Sequence, residues 1–343
     1  MPRRVLSSHL LVLADLVLAA AVIAVGIAVV LQTAGGGPLG RTTAATGTKR
    51  PVVVSRESSA DPVTSSAEPS TPPVAAPQRA AIDAYRGLGS WVDIYDDRAW
   101  AGPAAAVTDM ARHGVRTLYI ETANSNSSSA LRMPSQLAAF VVAAHSHRMR
   151  IVAWYLPDLT HPDLDYSRIE QAIHFTTPDG QRFDSFALDI ESHEVSSQSA
   201  RNSRLSALSA RIRDLVGPSY PLGAIIPSPV GLAKAKGGWT TFPYASVART
   251  YDVILPMSYY TYHAHGAGAV YADTAANVRI LRSQSGCAQT PIHLIGGISE
   301  DSSVIEADAF ARAARDSACY GASLYGWTGT SAAQWRRMSY AGW

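Results

Sequence analysis

Charge of either sign is in short supply. Only 16% of the 343 residues are charged and the formal net charge is +2, with acidic and basic side chains interspersed. A chain without a basic patch has no electrostatic footprint for nucleic acid, and none is expected as a partner. Cysteine is scarcer still, with Cys287 and Cys319 alone. Each lies just upstream of an apolar run, which puts both thiols at the same end of a sheet; one disulfide and two buried free thiols are both open there. No G-x-S-x-G elbow is present, and "GGGPLG" (35–40) sits in a stretch without hydrophobic periodicity, so neither a serine nucleophile nor a phosphate cradle is indicated. "YHAHG" offers His263 and His265, and His193 and Glu194 follow another run, but no third ligand stands at a diagnostic spacing. They are expected to be loop histidines facing solvent or substrate, with no metal or cofactor.

Long apolar runs are limited to one, at the amino terminus. "MPRR" precedes "LLVLADLVLAAAVIAVGIAVVL", interrupted only by Asp15, a length able to cross a bilayer. Residues 1–32 are therefore expected to be a signal-anchor or transmembrane segment, with Arg3 and Arg4 on the cytoplasmic side. Residues 33–79, rich in Pro, Ser, Thr and Ala, have the composition of a disordered linker. The expected location is the cell membrane, single-pass, with residues 80–343 extracytoplasmic, or secreted if the leader is cleaved. Nothing in the sequence indicates an oligomer, and a monomer is expected.

Residues 80–343 have the length of one (β/α)8 barrel. Eight short apolar runs recur, at 87–95, 115–124, 149–157, 183–192, 220–229, 251–260, 291–298 and 321–327. Segments such as "PAAAVTDMARHG" and "EADAFARAARDSACYG" lie between them, with apolar residues spaced i, i+3, i+4. Eight strand–helix units in a row predict a TIM barrel.

In such a barrel the site lies at the carboxyl ends of the strands, where the last inward residues matter most. Alternation turns Asp93 and Trp91 inward on the first run, Glu121 on the second, Asp189 and Glu191 on the fourth, Met257 and Tyr259 on the sixth, and Ser323, Tyr325 and Trp327 on the eighth. Carboxylates and flat rings on one rim suit carbohydrate chemistry, because glycoside hydrolysis needs an acid at the leaving oxygen and aromatic faces stack on sugars. Trp91, Trp154 and Tyr155 also read as core fillers.

"FDSFALDIE" resembles the fourth-strand D-G-x-D-x-D-x-E signature of the glycoside hydrolase family 18 chitinases and endo-N-acetylglucosaminidases. Asp184, Asp189 and Glu191 match its first and third Asp and its Glu, whereas Ser185 and Ala187 replace its Gly and middle Asp. "PMSYY" is similar to the family's M-x-Y-D, with Tyr260 in place of Asp, and "LYGW" to its last strand, with Trp327 at the sugar platform. The resemblance implies an extracytoplasmic glycoside hydrolase acting on a polysaccharide or glycoconjugate that contains N-acetylhexosamine. Glu191 would be the general acid, Asp189 would orient the acetamido group, and Tyr259 would hydrogen-bond it. A conventional pair, with Glu121 or Asp93 as the second carboxylate, stays open, as does a catalytically silent glycan-binding barrel.

Overall fold

A computed structural model describes residues 81–343 except 235–237, 287, 340, 341 and 343. The expected anchor (1–32) and linker (33–79) lie outside the described residues, as does Cys287. Cys319 forms no disulfide among the described residues, and burial pushes its thiol pKa up to about 12.

Eight parallel strands close into a barrel in sequence order. They are β1 (Gly87–Val92), β2 (Thr117–Asn124), β3 (Arg150–Leu156), β4 (Ser185–Asp189), β5 (Leu222–Pro227), β6 (Val253–Met257), β7 (His293–Ile298) and β8 (Gly321–Tyr325). Helices α1 (Asp97–Ala101) and α2 (Pro103–Arg112) follow β1, and α3 (Pro134–Ser146), α4 (Pro162–His174) and α5 (Gln198–Val216) follow the next three strands. After β5 come α6 (Pro229–Ala233) and α7 (Tyr244–Thr250); α8 (Ala267–Ser285), α9 (Val304–Asp316) and α10 (Ala332–Ser339) complete the ring. Each of the eight apolar runs contains one strand. Among the described residues no helix is long and apolar enough to cross a membrane.

Strand alternation builds two separate cores. Leu88, Leu118, Ile120, Ile151, Phe186 and Leu188 face outward and pack with the helices, while Trp91, Tyr119, Val152, Trp154, Ala187 and Ile225 fill the interior. The interior aromatics need room: a Cβ on Gly89 would stand 2.7 Å from the Tyr119 ring, and one on Gly223 2.7 Å from the Tyr85 hydroxyl. At the base, buried His293 contacts the Tyr85 carbonyl (3.0 Å) and the Ser323 hydroxyl (3.1 Å), and burial lowers its pKa to about 4.

The strand registers arrange the interior in layers. Because tilted strands climb one residue per step around the barrel, each level layer draws four side chains from alternate strands. Tyr119, Ala187, Leu255 and Ser323 form one layer, and Trp91, Trp154, Ile225 and Ile295 lie above it. The next layer is Glu121, Asp189, Met257 and Tyr325. The interior therefore turns from apolar to acidic within one layer, at the carboxyl end of the sheet.

Candidate active site

The Trp91 ring is the floor. It stacks on Tyr119 (4.3 Å, 12°), meets Trp154 edge-on (6.0 Å) and donates from Nε1 to the Ser323 hydroxyl at 2.7 Å. Aromatic contacts of this kind add about 0.5–1.5 kcal/mol each beyond their buried area, so the floor is rigid. Trp91 is 2% exposed. It supports the acidic layer from beneath and offers little surface of its own.

Above it stand the acids. Glu121, 2% exposed, accepts from the Ile94 amide at 2.9 Å. Burial pushes its pKa up to about 8; the amide opposes the rise and the nearby Asp93 charge adds to it. Asp189 is buried, and its Oδ1 has no hydrogen-bond partner among the described residues. Its pKa lies well above the usual carboxylate range because of burial first, then Glu191 and Glu121. Glu191, one step past the inward Asp189 and partly exposed, is also raised by loss of hydration. Asp93 accepts from the Tyr95 amide (2.8 Å) and from the Tyr325 hydroxyl (2.9 Å). Among the described residues none of these four acids forms an ion pair. Burial without a compensating cation favours the protonated forms of Glu121, Asp189 and Glu191.

Aromatic side chains from β6, β8 and their loops complete the rim. Tyr259 has φ +37°, a left-handed conformation in the turn just past β6. Its ring meets Tyr262 at 6.0 Å and Tyr325 at 5.9 Å, both edge-on, and Tyr325 lies 6.2 Å from Trp91. Met257 fills the layer between Asp189 and Tyr325 and is 6% exposed. Alternation alone did not find Tyr262 and Tyr95, which are 50% and 44% exposed at the mouth. Both sit in loops just past strand ends, and an aromatic there was the available signal.

The structure thus brings Asp93, Glu121, Asp189, Glu191, Tyr259, Tyr325, Met257 and Trp91 to one end of the barrel. Trp327 is the correction. Its side chain belongs to the outer core, donates from Nε1 to Asp109 of α2 at 3.0 Å, and lies 5.1 Å beneath the Arg98 guanidinium. The strand ends at Tyr325, so alternation no longer governs residue 327. Asp184 also stands apart, at the opposite end of β4, bound to Arg150, His145 and the Ile151 amide. His263 contacts Asp273 (2.9 Å), and His193 lies against Arg201 (3.1 Å). Among the described residues no group of three or more His, Cys, Asp or Glu is placed to hold a metal ion.

No family model and no curated protein matches the chain in sequence. Solved structures match its fold. A family 18 chitinase from Cycas revoluta, complexed with allosamidin, aligns with TM-score 0.55 and 11% identity over 74% of this chain and 99% of its own. An endo-β-1,4-mannanase from Thermotoga petrophila gives TM-score 0.56 and 11% identity over 71% and 68%. The spore cortex-lytic enzyme SleL of Bacillus megaterium gives 0.52 and 9% over 77% and 74%. At these identities the likeness establishes a shared barrel fold.

Proposed function

We propose that this protein is a glycoside hydrolase that cleaves a polysaccharide or glycoconjugate containing N-acetylhexosamine, outside the cytoplasmic membrane and tethered to it by residues 1–32. The reading rests on one observation above the others: the buried Asp189 Oδ1 has no hydrogen-bond partner among the described residues, and it stands beside Glu191, whose pKa burial raises above the usual carboxylate value. An acetamido N–H is a donor suited to that oxygen. Related support comes from solved barrels of the same fold, among them a Cycas revoluta chitinase mutant in complex with (GlcNAc)3.

In this mechanism Glu191 gives its proton to the glycosidic oxygen as the C1–O bond breaks. The acetamido carbonyl oxygen attacks C1 while Asp189 accepts the N–H and stabilises the cyclic cation. Water, deprotonated by the Glu191 carboxylate, then reopens the ring, which restores the acid and retains the configuration at C1. Tyr259 hydrogen-bonds the acetamido oxygen, and the Tyr259–Tyr325 pair forms the wall against the sugar.

The test is hydrolysis of labelled glycans with and without N-acetyl groups, using the full chain and its Glu191→Gln variant. Cleavage confined to N-acetylated glycans and lost in the variant is expected. Full activity in the variant would sink the assignment of the acid, and binding without cleavage would identify a silent glycan-binding barrel.

A further inference from the structure

A groove of about 580 Å³ opens in the outer ring of helices, between α1 and the first turn of α3. Its size falls within the roughly 300–1,000 Å³ typical of small-ligand sites. Asp97, Pro103, Arg132, Met133, Ser135 and Gln136 all line it, so an acid, a base, a hydroxyl, an amide and apolar groups meet in one depression. Trp100 lines it too, and donates from Nε1 to the Asp93 carbonyl at 2.7 Å. That bond ties the groove to the loop that carries an acid of the candidate active site.

Arg132 is held in place with its donors uncommitted. The guanidinium lies 5.2 Å over the Trp100 ring, which is fixed in turn by Asp93 and by edge-on contact with Phe140 at 5.4 Å. The Arg132 amide donates to the Thr122 carbonyl at 2.7 Å and anchors the loop to β2, next to Glu121. Among the described residues the guanidinium forms no hydrogen bond. Its Nε is buried without a partner, and its ion contact, from Nη2 to Asp97 Oδ1, is 3.8 Å long. The Asp97 side chain is almost fully exposed, so that contact contributes little. A preorganised arginine fork loses less freedom on binding than a mobile one.

An anion would suit Arg132 but be repelled by Asp97, and a cation would meet the reverse. A vicinal diol suits both, because its hydroxyls accept from the guanidinium and donate to the carboxylate. Exposed Met133 and Pro103 give the C–H face of a sugar ring its apolar contact. We infer that the groove is a second glycan-binding site, which holds a sugar residue remote from the scissile bond, with Arg132 as donor and Asp97 as acceptor. The inference rests on the glycosidase reading for the identity of the glycan. Exposed Tyr95, in the loop between Asp93 and Asp97, offers a ring between the two places. A ligand that reaches both is an oligomer or polymer, not a disaccharide.

The test follows the methionine methyl groups by 13C NMR in the full chain carrying Glu191→Gln, which keeps the glycan intact. Met133 reports the groove and Met257 the acidic layer, each assigned by loss of its signal in Met133→Leu or Met257→Leu. Short and long oligomers of N-acetylglucosamine and of mannose are titrated. Long oligomers of one series should shift both methyls. Arg132→Gln and Asp97→Asn should each weaken the Met133 response about tenfold and leave the Met257 response to short oligomers in place. Asp97→Asn alters an exposed side chain, so it carries the test alone if Arg132→Gln fails to fold by circular dichroism. Met257 shifting while Met133 stays still with every oligomer would overturn the inference and leave the hydrolase reading. Met133 shifting while Met257 stays still would support the groove and defeat that reading, and no shift at either would overturn both. A Met133 response unaltered in the folded variants would overturn the roles of Arg132 and Asp97.

Discussion

β4 carries an aspartate at each end of its path, and the two have opposite surroundings. Asp184, at the amino end, receives Arg150 at 2.8 Å, the Ile151 amide at 2.9 Å and His145 at 3.1 Å. Asp189, at the carboxyl end, has an oxygen with no hydrogen-bond partner among the described residues, and the charges of Glu191 and Glu121 add to burial in raising its pKa. The same residue type on the same strand is saturated at one end of the barrel and left open at the other. A saturated acid ties strands together, whereas an open one keeps its hydrogen-bonding capacity for a ligand, in line with the division of (β/α)8 barrels into a stabilising and a reactive face.

Exchanging each acid for its amide should separate the two roles. Asp189→Asn keeps an acceptor oxygen but removes the carboxylate charge that would stabilise the cyclic cation, and should lower kcat on N-acetylated glycans by about 10²-fold or more. The melting temperature should stay level, because the amide has the same shape and the Asp189 Oδ1 has no hydrogen-bond partner among the described residues to lose. Asp184→Asn should do the reverse, with stability falling by about 1–3 kcal/mol through its charged partners and kcat unchanged below the melt. Paired melting curves and single-turnover rates would check this. A fall in kcat for Asp184→Asn as large as that for Asp189→Asn would break the comparison.

The two ends should also differ in their response to pH. Glu121 titrates near 4.5 when unfolded and near 8 in place, so its folded form holds the extra proton. That contribution is complete below pH 4.5 and is lost as pH rises through about 8, amounting to on the order of 5 kcal/mol. His293 at the base has the opposite sign: lowered from 6.5 to about 4, it favours the fold above pH 6.5 and loses that contribution as pH falls through 4, on the order of 3 kcal/mol. Thermal melts from pH 4 to 9 should therefore decline on both sides. Glu121→Gln should lessen the decline on the alkaline side alone, leaving the part that Asp189 and Glu191 contribute, and an alkaline decline as steep as the wild type's would place its origin elsewhere.

Much of this was legible in the sequence because alternation has period two and each of the eight runs holds a strand. The inward address of Trp91, Glu121, Asp189, Met257 and Tyr325 follows from that period alone. What a single strand does not encode is its offset from its neighbours. That Glu121 shares a layer with Asp189, while Ala187 lies a layer lower with Tyr119, depends on the registers of several strand pairs. The resemblance of "FDSFALDIE" to a catalytic signature also gave no hint that Asp184 is bound to Arg150 and His145, since those partners come from β3 and α3.

Trp327 offers the smallest and sharpest variation on the comparison, because it lies two residues beyond Tyr325 on the same parity yet in the other core. The Trp327 amide still reaches the Trp91 carbonyl at 2.9 Å, so its backbone is close to the site while its indole turns out to Asp109. Trp327→Phe keeps most of the apolar contact and deletes the Nε1 donor, which should cost about 1–2 kcal/mol of stability. Glycan affinity should not change, since the ring is buried against Arg98 and the helices. Tyr325→Phe deletes a hydrogen bond of similar length, to Asp93, but on the acid-bearing side, so its effect should appear in the pH profile of kcat instead. Isothermal titration of the two variants in a Glu191→Gln background, beside their melts, would read both effects. A loss of affinity in Trp327→Phe with unchanged stability would return that indole to the sugar platform.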